Sequence, residues 1–292
     1  METKTIVASD IRMTWLEEGT GYPVVFVHGI PTSPALWRHV IPRLRTERCI
    51  AWEMVGYGSS RVQGRGRDIS VARQADYLAT FLDTIGVTRA VFAGHDLGGG
   101  VVQNLAVRRP DLCAGMMLTN AICYDSWPIP SVKAMQMASS VVRRLPAAAL
   151  ASILRMMYFR GHDTGTQAQE AMRHHWPMYA SRFGPDAFAR QIDSLNVRDT
   201  LDITGQLPKL AVPAHIVWGA ADQFQKLHYG ERLASDLNAP LHIIPGAKHF
   251  TPEDHPDTIA DAICAVIKQV APAYPNQGAT PWQTHPNTST TM

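Results

Sequence analysis

The sequence predicts an α/β fold: a mostly parallel sheet, helices on both faces, and a block of extra helices inserted into it. Three observations predict this. Short apolar or β-branched runs recur, each followed by a turn and a helix-length segment. That rhythm stops between about 122 and 210. One strand-to-helix turn near position 96 is packed with glycine.

The strand-like runs 24–27, 50–52, 90–93, 116–118, 215–218 and 242–244 form a series of six. Apolar strands alternating with helices belong to a parallel sheet covered on both faces. Ile11-Arg12-Met13-Thr14-Trp15 alternates instead, as a half-buried antiparallel edge strand does. Between 122 and 210 the segments 131–145, 147–159, 167–175 and 185–195 read as helices. Inserted there, they form a lid over the carboxyl ends of the strands, where open α/β sheets bind ligands. The expected division is a core of 1–121 and 211–270 carrying a helical cap of 122–210. A tail, 271–292, is rich in Pro, Thr, Asn and Gln and is expected to be disordered.

A chain of 292 residues can bury one large core. Its formal net charge of +2, without a basic cluster, offers no footprint for nucleic acid or an anionic membrane. No apolar stretch approaches the roughly 18 residues that cross a bilayer. The polar start METKTIVASD lacks the apolar centre of a signal peptide, so a cytoplasmic location is expected. Cys49, Cys113, Cys123 and Cys264 show no metal-ligand or redox spacing and read as small hydrophobes. The expected partner is a small apolar molecule, with no metal and no cofactor; a homodimer is compatible with the sequence.

The strongest local signal is Ala93-Gly94-His95-Asp96-Leu97-Gly98-Gly99, directly after one strand and before the helix-like run 101–108. So sharp a turn strains its central residue and needs small neighbours, which Gly94, Gly98 and Gly99 supply. The central residue is then raised above the sheet beside a helix N-terminus, which favours negative charge. A plain helix N-cap is the alternative role for Asp96. Further along, Asp222 follows one strand and His249 follows the next, so both fall on loops at the same sheet edge as Asp96. Nucleophile, acid, histidine is the chain order of the strand-elbow hydrolases.

Five stretches occur in order: His28-Gly29-Ile30-Pro31, Gly56-Tyr57-Gly58-Ser59-Ser60, Gly94-His95-Asp96-Leu97-Gly98-Gly99, Trp218-Gly219-Ala220-Ala221-Asp222 and Gly246-Ala247-Lys248-His249-Phe250. Over roughly 13–267 the chain thereby resembles the aspartate-nucleophile branch of the α/β-hydrolase superfamily. That branch holds epoxide hydrolases and haloalkane or haloacetate dehalogenases. The resemblance implies that Asp96 attacks an sp³ carbon and forms an ester. His249, oriented by Asp222, then activates the water that hydrolyses it. It also implies oxyanion donors at the backbone N–H groups of Leu97 and Ile30. Some relatives place the acid after the preceding strand; that position here is Asn120, which carries no charge.

The electrophile is less sharply marked. Haloalkane dehalogenases hold the departing halide with donors at the positions of Leu97 and Ile30, and neither of these side chains donates. Fluoroacetate-type enzymes carry arginines where Leu97 and Gly100 stand. The pair His175-Trp176 lies later in the lid than that family's halide-binding pair. Epoxide hydrolases instead use two lid tyrosines, and Tyr158 and Tyr179 are the candidates, with Tyr124 expected to pack at the lid's root. The expectation is therefore epoxide opening to a diol by Asp96, Asp222, His249, Tyr158 and Tyr179, with Trp37 and Trp176 touching substrate. Dehalogenation by the same Asp96 is the alternative; an ester or lactone hydrolase and a non-catalytic binder follow it.

Overall fold

Apolar runs become the middle of the sheet, and polar ones its rims. The structure, a computed structural model, describes residues 1–44 and 46–270; the tail expected at 271–292 lies outside them. In chain order the elements are β1 (Glu2–Ala8), β2 (Ile11–Glu18), β3 (Pro23–Val27), β4 (Arg48–Trp52), α1 (Val71–Thr84), β5 (Ala90–His95), α2 (Leu97–Arg108) and β6 (Cys113–Thr119). After a helical insertion come β7 (Ala214–Gly219), α9 (Leu227–Asp236), β8 (Leu241–Ile244), α10 (Thr251–Asp254) and α11 (Pro256–Val270). The sheet order is β1-β2-β4-β3-β5-β6-β7-β8. The β1–β2 and β2–β4 pairs are antiparallel and all others parallel. All six strand-like runs lie in this sheet, and so does the alternating run, antiparallel as expected but placed inside the edge, between β1 and β4. β1 is an addition: its side chains are mostly exposed, so no apolar pattern marks it.

Strand alternation sends side chains to two cores. Val25 and Val27 join Trp15, Trp52 and Phe92 under α1 and α2, whereas Val24 and Phe26 join Trp37, Val91 and Met117 on the α11 side. Burying one such aromatic contributes a few kcal/mol, about 3–5 if it is cut to alanine. Cys49, Cys113 and Cys123 are buried and Cys264 is half-buried, all as free thiols. Burial, with nearby acids, pushes the Cys49 thiol up to about 12, far from a reactive thiolate.

Between β6 and β7 the chain forms α3 (Pro130–Met137), α4 (Ser139–Val142), α5 (Ala147–Gly161), α6 (Gly165–His175), α7 (Gly184–Asp193) and α8 (Arg198–Leu201). The helix expected over 131–145 is two, because the chain leaves helical geometry at Ala138. A capping box of Thr164 and Gln167 starts α6. Among the described residues no helix is long and apolar enough to cross a membrane.

Candidate active site

The site begins with strain. Asp96, between β5 and α2, has φ +52° and ψ −121°, a conformation that costs a non-glycine residue about 1–3 kcal/mol. Close packing of α2 against β3 enforces it. A Cβ on Gly98 would stand 2.1 Å from the Val27 carbonyl oxygen and 2.6 Å from that of His28. The Asp96 side chain makes no capping bond to α2, so the plain N-cap role is not what it does. Its Oδ2 accepts the Ile30 N–H at 2.9 Å, and the Leu97 N–H acts on the same carboxylate. The two backbone N–H groups singled out in the sequence thus both meet the Asp96 carboxylate.

The Ile30 donor is aimed by a neutral histidine. His28 accepts the Met54 N–H on Nε2 at 3.2 Å, so Nδ1 carries the proton and donates to the Gly29 carbonyl at 2.9 Å. Complete burial drives the His28 pKa down to about 3, which keeps the ring in this form. Gly29 itself must lack a side chain, because a Cβ there would meet Asp96 Oδ2 at 2.4 Å and its Cβ at 2.5 Å. Gly29→Ala is expected to push the carboxylate off the Ile30 N–H and cut kcat/KM by about 100-fold. Unchanged turnover in this variant, with an unchanged melting temperature, would show that the carboxylate does not depend on this seat.

His249 arrives on the loop after β8. Its Nδ1 donates to Asp222 Oδ2 at 2.8 Å, and its Nε2 stands 3.9 Å from Asp96 Oδ1. Asp222 is fixed on its other sides by the Asn120 amide at 2.7 Å on Oδ2 and the Phe224 N–H at 2.7 Å on Oδ1. Asn120 is therefore no acid but a clamp on one. Its own oxygen accepts from the Gly219 N–H and the Thr251 hydroxyl. Burial opposes protonation of His249, yet Asp222 and Asp96 outweigh it and raise the pKa above the ordinary histidine value. For Asp96 burial wins: it raises the carboxyl pKa, while His249 and the two N–H donors only moderate the rise.

Above these groups lies a pocket lined by Asp96 and His249 at its floor and by Ile122, Ile129, Val132, Met157, Leu195 and Phe224 on its walls. It sets a carboxylate and an imidazole at the base of an otherwise largely apolar cavity. Ile30 and Leu97 line it too; the expected Tyr158, Tyr179, Trp37 and Trp176 do not. The Tyr158 hydroxyl donates to the Pro31 carbonyl at 2.8 Å, because its face of α5 turns toward the His28 loop. The Tyr179 hydroxyl donates to Gln191 at 2.8 Å, which in turn holds the Gly56 carbonyl. Trp37 is fully buried against Phe26 in the α11-side core. Trp176 is half-buried in a single turn, Trp176–Met178, outside the pocket lining. Tyr124 does sit at the lid's root, donating to Asp236 at 2.7 Å.

A charged cluster that no spacing rule reveals ties the lid to the His249 loop. The backbone N–H groups of His249 and Phe250 both bond the Gly161 carbonyl at the end of α5, at 2.9 and 3.0 Å. Buried Glu253 pairs with Arg38 and with His175 at 3.1 Å, and lies 3.2 Å from His162. His162 Nδ1 also bonds Asp254 at 2.8 Å. Burial disfavours the charge on His162, but Asp254 and Glu253 overcome it and lift its pKa to about 9. The imidazolium form is thus favoured at neutral pH, held between Asp254 and Glu253 in the helix that follows the His249 loop.

Residues 22–256 match the family model described as the alpha/beta hydrolase fold. A protein named haloalkane dehalogenase 2, from Mycobacterium tuberculosis, is 33% identical over 279 residues, covering 90% of this chain and 93% of its own. Bifunctional epoxide hydrolase 2 of Rattus norvegicus is 31% identical over 137 residues, 46% of this chain and 24% of that one. A solved alpha/beta hydrolase fold protein from Burkholderia ambifaria superposes with a TM-score of 0.84 at 26% identity, covering 90% of this chain and 97% of that one. With its eight-stranded, mostly parallel sheet, strand-to-helix elbow and inserted helices, the chain belongs to the α/β hydrolase fold family.

Proposed function

We propose that the chain is a dehalogenating hydrolase acting on small apolar haloalkanes. The observation that carries the reading is the seating of Asp96. Oδ2 lies on the backbone donors, and Oδ1 faces the apolar pocket and His249. Oδ1 displaces halide from an sp³ carbon, leaving an ester whose carbonyl oxygen is Oδ2. His249 then takes a proton from water, the water attacks the ester carbonyl, and the Ile30 and Leu97 N–H groups stabilise the oxyanion. Its collapse breaks the bond from that carbon to Oδ1, the alcohol leaves with the proton from His249, and the Asp96 carboxylate is restored with the water's oxygen. Asp222 keeps the imidazole proton on Nδ1, so that Nε2 is the base.

Epoxide opening is supported less well. Its alkoxide leaving group is strongly basic and needs a hydroxyl to protonate it as it forms. Among the described residues no tyrosine lines the pocket, and the Tyr158 and Tyr179 hydroxyls are bonded elsewhere. A halide is a weak base and needs no proton. The resemblance to haloalkane dehalogenase 2 along nearly the whole chain supports the same choice, whereas the epoxide hydrolase relative matches under half of it. The test is direct: incubate the protein with 1-bromobutane and, separately, with styrene oxide. Bromide release with 1-butanol is expected; diol formation without bromide release would reverse the assignment.

A further inference from the structure

We infer that the Gln225 carboxamide holds the departing halide, an inference that rests on the dehalogenase reading above. A halide leaving carbon enters this pocket as a full negative charge, and an unpaired ion in an apolar cavity is prohibitive. The side chains of Ile30 and Leu97 line the cavity and donate nothing. The Trp127 indole also reaches it, but its N–H is committed to the Thr200 hydroxyl at 2.7 Å. Asp96 and His249 are engaged in the reaction itself. That leaves Gln225, the remaining polar side chain on the wall.

Its state in the fold points to a ligand. Gln225 is 3% exposed, and its Oε1 is enclosed with no hydrogen-bond partner. Buried carboxamides are normally satisfied, so an unpartnered carboxamide on a residue that lines the cavity is an anomaly that needs a reason. The backbone beneath it is pinned. The Gln225 carbonyl accepts the Trp218 indole N–H at 3.0 Å, and the Phe224 N–H bonds Asp222. The segment that carries the acid therefore also presents the carboxamide. The other end of the same carboxamide is its NH₂, which is not among these enclosed atoms, makes no hydrogen bond with the described residues and carries two donors. In the displacement the Asp96 Oδ1–carbon bond forms as the carbon–halogen bond breaks. The electron pair leaves with the halogen, no proton moves, and the Gln225 N–H groups donate to the new anion.

The test separates bond-breaking from ester hydrolysis. In single-turnover reactions with 1-bromobutane, Gln225→Met, close in size but without donors, should slow formation of the Asp96 ester about 100-fold. It should leave the decay of that ester unchanged, which also shows that the variant is folded. Inhibition of the wild type by added bromide should weaken in Gln225→Met and in Gln225→Glu, whose charge repels the anion. Slowing of both half-reactions equally in both variants would assign Gln225 a structural role and overturn the inference. So would unchanged alkylation and bromide inhibition in variants of a wild type that does release halide. A wild type that releases no halide removes the dehalogenase reading, and this assignment with it.

Discussion

His249→Gln is expected to stop the reaction halfway, with the substrate's alkyl group left as an ester on Asp96. The first half-reaction needs no base: its nucleophile is the Asp96 carboxylate, whose seat on the Ile30 and Leu97 N–H groups does not involve the imidazole. The second half needs a base at the position of Nε2, and glutamine provides none. Intact mass should rise by the mass of the alkyl group, and peptide mapping should place it on Asp96. Multiple turnover without an adduct, or an adduct on another residue, would sink the mechanism. The pH dependence carries the same logic. His249 acts as a base only when neutral, so ester decay is lost as pH falls through its raised pKa. In the ester Asp96 no longer bears a charge, which removes one of the two influences that raise that pKa. The acid limb of ester decay should therefore lie below the imidazole pKa titrated in the free enzyme. Ester formation instead requires ionised Asp96, and its acid limb should lie above the ordinary aspartate value of about 3.9.

The parts of this site that were readable in the sequence are those governed by local steric rules. Gly98 is dictated by the approach of α2 to β3, and Asp96 by the turn that this approach creates. Asp222 and His249 follow because loops at the carboxyl edge of a parallel sheet must converge. The lid is different, because which face of a helix looks inward is set by its neighbours. Met157 and Tyr158 are adjacent in the chain, yet Met157 lines the pocket and Tyr158 points to the His28 loop. A signal existed: Leu150, Leu154 and Tyr158 recur every four residues as the buried stripe of α5, which marks Tyr158 as packing. The Glu253, His162 and His175 cluster offered no such signal. Its members come from three separate segments and meet only in the folded chain. β1 was invisible because an edge strand facing solvent needs no apolar pattern.

Asp222→Asn is expected to lower kcat by about 10³–10⁴-fold, and the hydrogen bonds around it explain why substitution by an isostere is so damaging. Oδ2 receives two donors, His249 Nδ1 and the Asn120 amide, while Oδ1 receives the Phe224 N–H. An asparagine has one oxygen for these two places. If its oxygen stays toward His249, its NH₂ faces the Phe224 N–H. If it turns, its NH₂ faces both Asn120 and the imidazole, which must then move its proton to Nε2 and lose the base. Either arrangement leaves a buried donor unsatisfied, at a cost of about 1–3 kcal/mol in stability, with the fold retained. The negative charge that offsets the burial of His249 also disappears, so the imidazole pKa should fall below that of the wild type. Nuclear magnetic resonance titration of His249 and single-turnover kinetics check the two effects separately. Near-wild-type turnover would mean that the acid is elsewhere. Two other acids, Glu53 and Asp125, are poorly placed for that role: Glu53 is bonded to Ser59 and Ser60, and Asp125 faces solvent.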